Sequence, residues 1–148
     1  MSDALKARAL RLLSGREHSR AELARKLGTQ ADPDSIEALL DRLEALDLLS
    51  DARFADSYVR SRQARLGDRR LRQELKQKGV AEHLIDAALH GSTEGEDLER
   101  ARQVWHKKFG TAPADAREWA RQARFLQGRG FAADVIHKLL KDCDDEPA

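Results

Sequence analysis

The chain has 148 residues, 36% of them charged and 41% hydrophobic, and a net charge of +1. That size suits one compact domain or a short repeat array with a modest core and a large solvated surface. No run approaches the ~20 apolar residues of a membrane span, the N-terminal apolar segment is too short and too charged for a signal peptide, and a lone cysteine, Cys143, can form no internal disulfide, so a reducing cytoplasm is the expected setting.

Apolar residues recur at i, i+3 and i+4, β-branched residues are scarce and nothing alternates with period two, so the chain reads as all-α. The spacing predicts helices over 2–14, 19–27 and 34–46, then 51–66, 68–78 and 82–89, then 96–109, 115–128 and 132–142. Ser19 with Glu22 has the form of a capping box, and Asp51 and Asp68 are candidate N-caps. Gly28, Gly79 and Gly130 each follow a second helix, where a residue of positive φ ends it at little cost. Loops are expected at 29–34 around Pro33 and at 110–114 around Pro113, a polar linker at 90–95, and a frayed acidic tail at Asp142, Asp144, Asp145 and Glu146.

The chain repeats itself. Glu22-Leu23-Ala24-Arg25-Lys26 recurs as Glu74-Leu75-Lys76-Gln77-Lys78 and, more weakly, as Phe125-Leu126-Gln127-Gly128-Arg129, at spacings of 52 and 51 residues. Ile36, Leu39 and Leu40 recur as Ile85, Ala88 and Leu89, then as Ile136, Leu139 and Leu140, at spacings of 49 and 51. The expected architecture is a tandem array of three three-helix, helix-turn-helix-like repeats, about nine helices in all, elongated and curved. Its boundaries are expected at 1–50, 51–92 and 93–148.

Charge is unevenly placed. Residues 51–92 hold nine cations and six anions, whereas the flanking segments hold eight against nine and ten against eleven. A chain that concentrates positive charge in this way is suited to an anionic partner. On the helix from Asp51, Phe54, Ala55, Tyr58, Val59 and Leu66 share an arc roughly 140° wide. Arg62 falls inside that arc, Arg65 at its edge and Arg60 away from it. Arg62 is therefore expected to be structural, ion-paired with Glu74, and Arg62→Ala to destabilise the fold. On the next helix Leu71 and Leu75 face inward, Arg69, Arg72 and Lys76 form an outward stripe, and Arg70 points to the far side. The candidate binding face is thus Arg60, Arg65, Arg69, Arg70, Arg72 and Lys76.

No catalytic or metal-ligand constellation stands out: there is no Walker-type loop, GxSxG or HExxH, and the five histidines are scattered. No enzyme activity, cofactor or metal is expected. Trp105 and Trp119 read as core anchors, and His137 as a surface residue.

The segment Asp51-Ala52-Arg53-Phe54-Ala55, then Tyr58-Val59, Arg62, Gly67, Arg70-Leu71, Glu74-Leu75 and Lys78-Gly79-Val80, resembles the central signature of the RecX regulatory proteins. Leu13-Ser14, Arg16, Ser19, Glu22-Leu23 and Lys26-Leu27 are similar to that family's first repeat. Ala101 with Lys107-Lys108-Phe109, and Arg124-Phe125-Leu126 with Arg129-Gly130-Phe131, are similar to its third. The resemblance spans Ala4 to about Lys141. It implies a non-enzymatic regulator that binds the RecA recombinase filament and lowers its ATPase, strand-exchange and co-protease activities, restraining recombinational repair and the SOS response. Expected partners are the RecA filament and single- or double-stranded DNA without sequence preference, with no membrane and a monomeric state. Two departures stand out: Asp47 occupies a position where the family commonly has Gly, and the N-terminal extension is short. The rival reading is a helix-turn-helix transcriptional regulator. Against it, no unit has a recognition helix with Asn or paired Gln suited to adenine edges, and the third helix of the middle unit carries no Lys or Arg.

Overall fold

The computed structural model describes residues 3–28, 30–89 and 94–145, so most of the expected 90–95 linker, together with Glu146 of the acidic tail, lies outside the described residues. Among these residues there are nine helices and no strand: α1 (Asp3–Gly15), α2 (Arg20–Leu27), α3 (Pro33–Ala45), α4 (Asp51–Arg62), α5 (Asp68–Gln77), α6 (Glu82–Ala88), α7 (Glu94–Lys108), α8 (Ala116–Gly128) and α9 (Ala133–Asp145). None is long and apolar enough to cross a membrane. The chain divides into two compact units, Met1–Tyr58 with Leu75–Ala88, and Val59–Glu74 with Leu89–Ala148.

The first unit is built on leucine. Leu5 and Ala9 of α1, Leu23 and Leu27 of α2, Ile36, Leu39, Leu40 and Leu43 of α3, and Leu49 close one core. Each fully buried leucine contributes roughly 1.5–3 kcal/mol. Pro33 opens α3 at the position where its missing N–H costs nothing, behind the N-cap Asp32, which accepts from Ser35 N–H. Ser19 caps α2 by accepting from Glu22 N–H at 3.0 Å, while its own hydroxyl donates to Lys78 O at 2.7 Å. The Glu22 carboxylate does not return to Ser19 as the capping box predicts. It is buried and held by both Arg16 terminal nitrogens, at 3.0 and 2.8 Å, with Lys78 Nζ at 3.5 Å. Asp51 is the first residue of α4 rather than its cap. Ser50 Oγ takes the Arg53 N–H, and Asp51 Oδ1 instead accepts the backbone N–H of Arg20, the first residue of α2.

Asp47 adopts φ +59°. Asp is among the few residues that tolerate the left-handed region. Its N–H bonds Glu44 O at 2.9 Å and its carboxylate takes Arg53 at 3.0 Å.

His18, unremarked among the scattered histidines, is buried at 2% exposure. Nδ1 lies 3.0 Å from Arg16 O and Nε2 3.0 Å from Lys26 Nζ. Because a carbonyl only accepts, Nδ1 carries the proton and Nε2 accepts from the lysine ammonium. Burial pushes the His18 pKa down, and the Arg16 and Lys26 charges add to this. Burial opposes ionisation of Glu22, but the Arg16 hydrogen bond and charge outweigh it and bring the pKa down to about 2. A histidine whose pKa is lower when folded contributes stability that is full above its unfolded value, about 6.5, and is lost as pH falls below it. Acidification from pH 7 to 5 should therefore lower the thermal midpoint through His18, while Glu22 responds only below its own unfolded value. In the second unit burial raises the carboxyls of Asp68 and Asp97, which has the opposite sign. The discriminating measurement is the difference between wild type and His18→Gln at the two pH values. An identical pH response in both proteins would refute the assignment.

The core of the second unit is Ala101 and Trp105 of α7, Leu126 of α8, Phe131, and Val135, Ile136, Leu139, Leu140 and Cys143 of α9. Trp105 Nε1 donates to Gln122 Oε1 at 2.7 Å, and Gln122 Nε2 donates to Thr111 O at 3.1 Å, so this buried amide uses both ends. Trp119 packs against the same core, with its ring 5.0 Å from that of the exposed His137. The expected frayed tail is helical as far as Asp145, because Cys143 is buried in the core and Asp142 faces Arg102.

α4 ends at Arg62, not at residue 66. Arg65 and Leu66 N–H groups both close onto Arg62 O, and the chain turns into Gly67. Gly67 N–H donates to Arg129 O at 2.7 Å, and Arg69 N–H donates to Gly130 O at 3.1 Å. A Cβ on Gly67 would lie 2.6 Å from the Gly130 carbonyl, and one on Gly130 would lie 2.2 Å from Arg70 Cβ. Two backbones meet here at a distance only glycine allows. Asp68, expected as an N-cap, is the first residue of α5 and pairs with Arg100 at 2.8 Å.

Candidate basic interface

The expected cations do not share one fate. Arg60, on α4, and Arg65, in the turn after it, are exposed. Arg62 closes α4 half-buried, with Nη1 donating to Ser61 Oγ at 2.8 Å. On α5, Arg69 is exposed and Arg72 half-buried, both in the second unit, and the exposed Lys76 follows two turns beyond Arg69, in the first unit. Arg70 is partly committed to the fold. Its Nε donates to Glu74 Oε2 at 2.7 Å and its Nη1 to Gly128 O at 2.8 Å, so it ties α5 to the end of α8. Glu74, expected to pair with Arg62, accepts from Arg70 Nε.

Most other arginines with described contacts face carboxylates. Arg16 holds Glu22, Arg20 reaches Glu37, Asp41 and Glu44, Arg53 spans Glu17 and Asp47, Arg100 lies on Asp68 and Asp97, and Arg121 on Glu118. These cations are largely neutralised in place.

One groove in the second unit differs. It has a volume of about 530 Å³ and is lined by Ala64, Arg65, Gln103, Val104, Lys107, Lys108, Phe125 and Arg129. Four cations and no carboxylate face it, and none of the four forms an ion pair among the described residues. Lys108 Nζ lies 5.4 Å from the centre of the Phe125 ring and the Arg129 guanidinium 5.1 Å from it. Phe109 meets the same ring edge-on at 5.4 Å and carries Arg121 over its own face at 5.2 Å. The sequence reading put only Arg65 of this set in the binding face. The alternation of cation and aromatic in Lys107-Lys108-Phe109 and Arg124-Phe125 was the available signal.

Three family models match in order: the first three-helix domain of RecX over residues 6–43, the second over 50–89 and the third over 94–140. The chain belongs to the RecX family. It is 52% identical over 144 residues to the regulatory protein RecX of Leptothrix cholodnii, covering 96% of this chain and 90% of that one. It is 50% identical to the RecX of Chromobacterium violaceum, covering 96% and 92%. The crystal structure of RecX from Lactobacillus salivarius superposes with a TM-score of 0.79 at 24% identity over 95% of both chains. A second crystal structure of a regulatory protein RecX gives a TM-score of 0.80 at 28% identity, covering 94% of this chain and 72% of that one. The RecX family is one of regulatory proteins built from three-helix domains, and this chain carries all three.

Proposed function

We propose that this RecX-family chain binds the RecA recombinase filament and lowers its ATPase, strand-exchange and co-protease activities, acting as a brake on recombination and the SOS response. The observation that carries the reading is the ordered match of all three RecX domains together with a basic α5. A nucleoprotein filament presents acidic protein surface and DNA phosphate side by side, and a basic helix can meet both. Arg69, Arg72 and Lys76, spaced i, i+3 and i+7, lie within about 60° on α5. With Arg60 and Arg65 they form the contact set we favour. Arg70, held by Glu74 and Gly128, contributes charge from a fixed position. Arg62 and Glu74 belong to the supporting framework.

Phosphate contacts release counterions, so the DNA-dependent part of the interaction should weaken steeply with salt and depend little on sequence. The test is RecA's DNA-dependent ATPase with wild type and with Arg69→Glu/Arg72→Glu/Lys76→Glu, after circular dichroism confirms folding. Wild type should inhibit, and the triple variant should need at least about tenfold more protein for the same inhibition, as expected when roughly three phosphate contacts are lost. No effect of wild type on the filament, with tight binding to one duplex sequence, would replace this reading with a transcriptional regulator.

A further inference from the structure

We infer that the groove between the turn after α4, the end of α7 and α8 is a subsite for one unstacked nucleotide of a single strand. Lys107, Lys108 and Arg65 would take its phosphates, and Phe125 its base. This deepens the reading above, and rests on it for the setting in which a single strand is offered.

Helix-end electrostatics favour individual cations at this groove but do not supply a counter-charge for four of them together. Lys107 and Lys108 lie in the last turn of α7, where the helix dipole favours cations. Arg129 is the C-cap of α8, where a second helix dipole favours a cation, and Arg65 lies in the turn after α4. Four like charges around one groove repel one another, and no carboxylate lines it to relieve the repulsion. Elsewhere on the chain Arg16, Arg20, Arg53 and Arg100 are supplied with carboxylates. A bound phosphate would supply the missing negative charge.

The aromatic floor selects among anions. An acidic peptide needs only cations, whereas a nucleotide also offers a flat ring. Phe125 is half-buried, braced edge-on by Phe109 and capped by Lys108 and Arg129. Lys108 is exposed, and its ammonium is a mobile point charge on a flexible stem. It can swing to a phosphate and leave the ring face to a base. Arg129 can remain, since a guanidinium stacks on aromatic planes. The groove volume falls within the roughly 300–1,000 Å³ usual for small-ligand sites. A duplex keeps its bases stacked on each other, so only an unstacked base can reach the ring.

The experiment measures fluorescence anisotropy of the full chain with labelled fifteen-residue oligothymidylate and with an abasic strand of equal length. Wild type should bind the oligothymidylate about tenfold more tightly than the abasic strand. Phe125→Leu should erase that preference while keeping the abasic affinity. Lys107→Glu/Lys108→Glu, a surface change that spares the core, should weaken both strands and lower the salt slope by about 1.4. Equal affinity of wild type for the two strands would overturn the inference, as would an undiminished base preference in folded Phe125→Leu. Displacement by poly-L-glutamate without any base preference would assign the groove to an acidic peptide and likewise overturn it. RecA inhibition by wild type without base preference sinks this inference alone. Base preference without RecA inhibition sinks the functional reading alone.

Discussion

Gly130→Ala is expected to lower the thermal midpoint by about 10 °C, while Gly128→Ala, two residues away, leaves it unchanged or raises it slightly. Gly130 sits at φ +95°, where a side chain costs roughly 1–2 kcal/mol, and its new Cβ would lie 2.2 Å from Arg70 Cβ and 2.4 Å from Arg70 N. Forcing that overlap apart costs roughly 1–3 kcal/mol more. Together these come to about 2–5 kcal/mol, or about 10 °C for a chain of this length. Nothing lies within 4 Å of a Cβ on Gly128, and the residue ends a helix that alanine favours. Melting curves followed by circular dichroism on the two variants decide the matter. Equal small shifts would mean the Gly67–Gly130 backbone contact does not persist in solution.

Ile85→Asp should cost the first unit more than about 3 kcal/mol. Ile85 has no exposed surface, so the change forfeits roughly 1.5–3 kcal/mol of apolar burial and leaves a carboxylate in its place. His83→Asp on the exposed side of the same α6 is the control. Urea midpoints of the two variants should differ widely. Similar small losses would contradict the alignment of Ile85 with Ile36 and Ile136, which are 7% and 4% exposed.

That alignment was legible because helical periodicity is a local signal: three apolar residues at i, i+3 and i+4 announce a buried face wherever they occur. The glycine stops were legible for the same reason, and Gly28, Gly79 and Gly130 all take positive φ. The end of α4 was not legible. Leu66 continues the apolar pattern, and what bends the chain is the contact of Gly67 with residues 129 and 130, a long-range event with no local mark. The candidate site divides the same way. The density of arginine after Arg60 is visible in the sequence, but which arginines are spent internally depends on tertiary neighbours. The helical wheel sets Arg70 apart from the core, yet its guanidinium bonds Gly128 O. Arg16 and Arg20 are as basic on paper as Lys107 and Lys108. In the folded chain the first two are on carboxylates, and the last two line a groove without any.

Arg121 on Glu118, a one-to-one pair, shows what pairing does at a distance. Adjacent opposite charges cancel to leading order, and the remaining multipole field decays faster than that of a lone charge. Beyond a Debye length, about 8 Å at physiological ionic strength, such pairs contribute almost nothing. The like charges at Arg65, Lys107, Lys108 and Arg129 add instead. A diffusing polyanion therefore does not meet a body of charge +1. It meets a surface on which like-charged groups such as those of this groove act at longer range than paired ones, and the encounter is oriented before any contact forms.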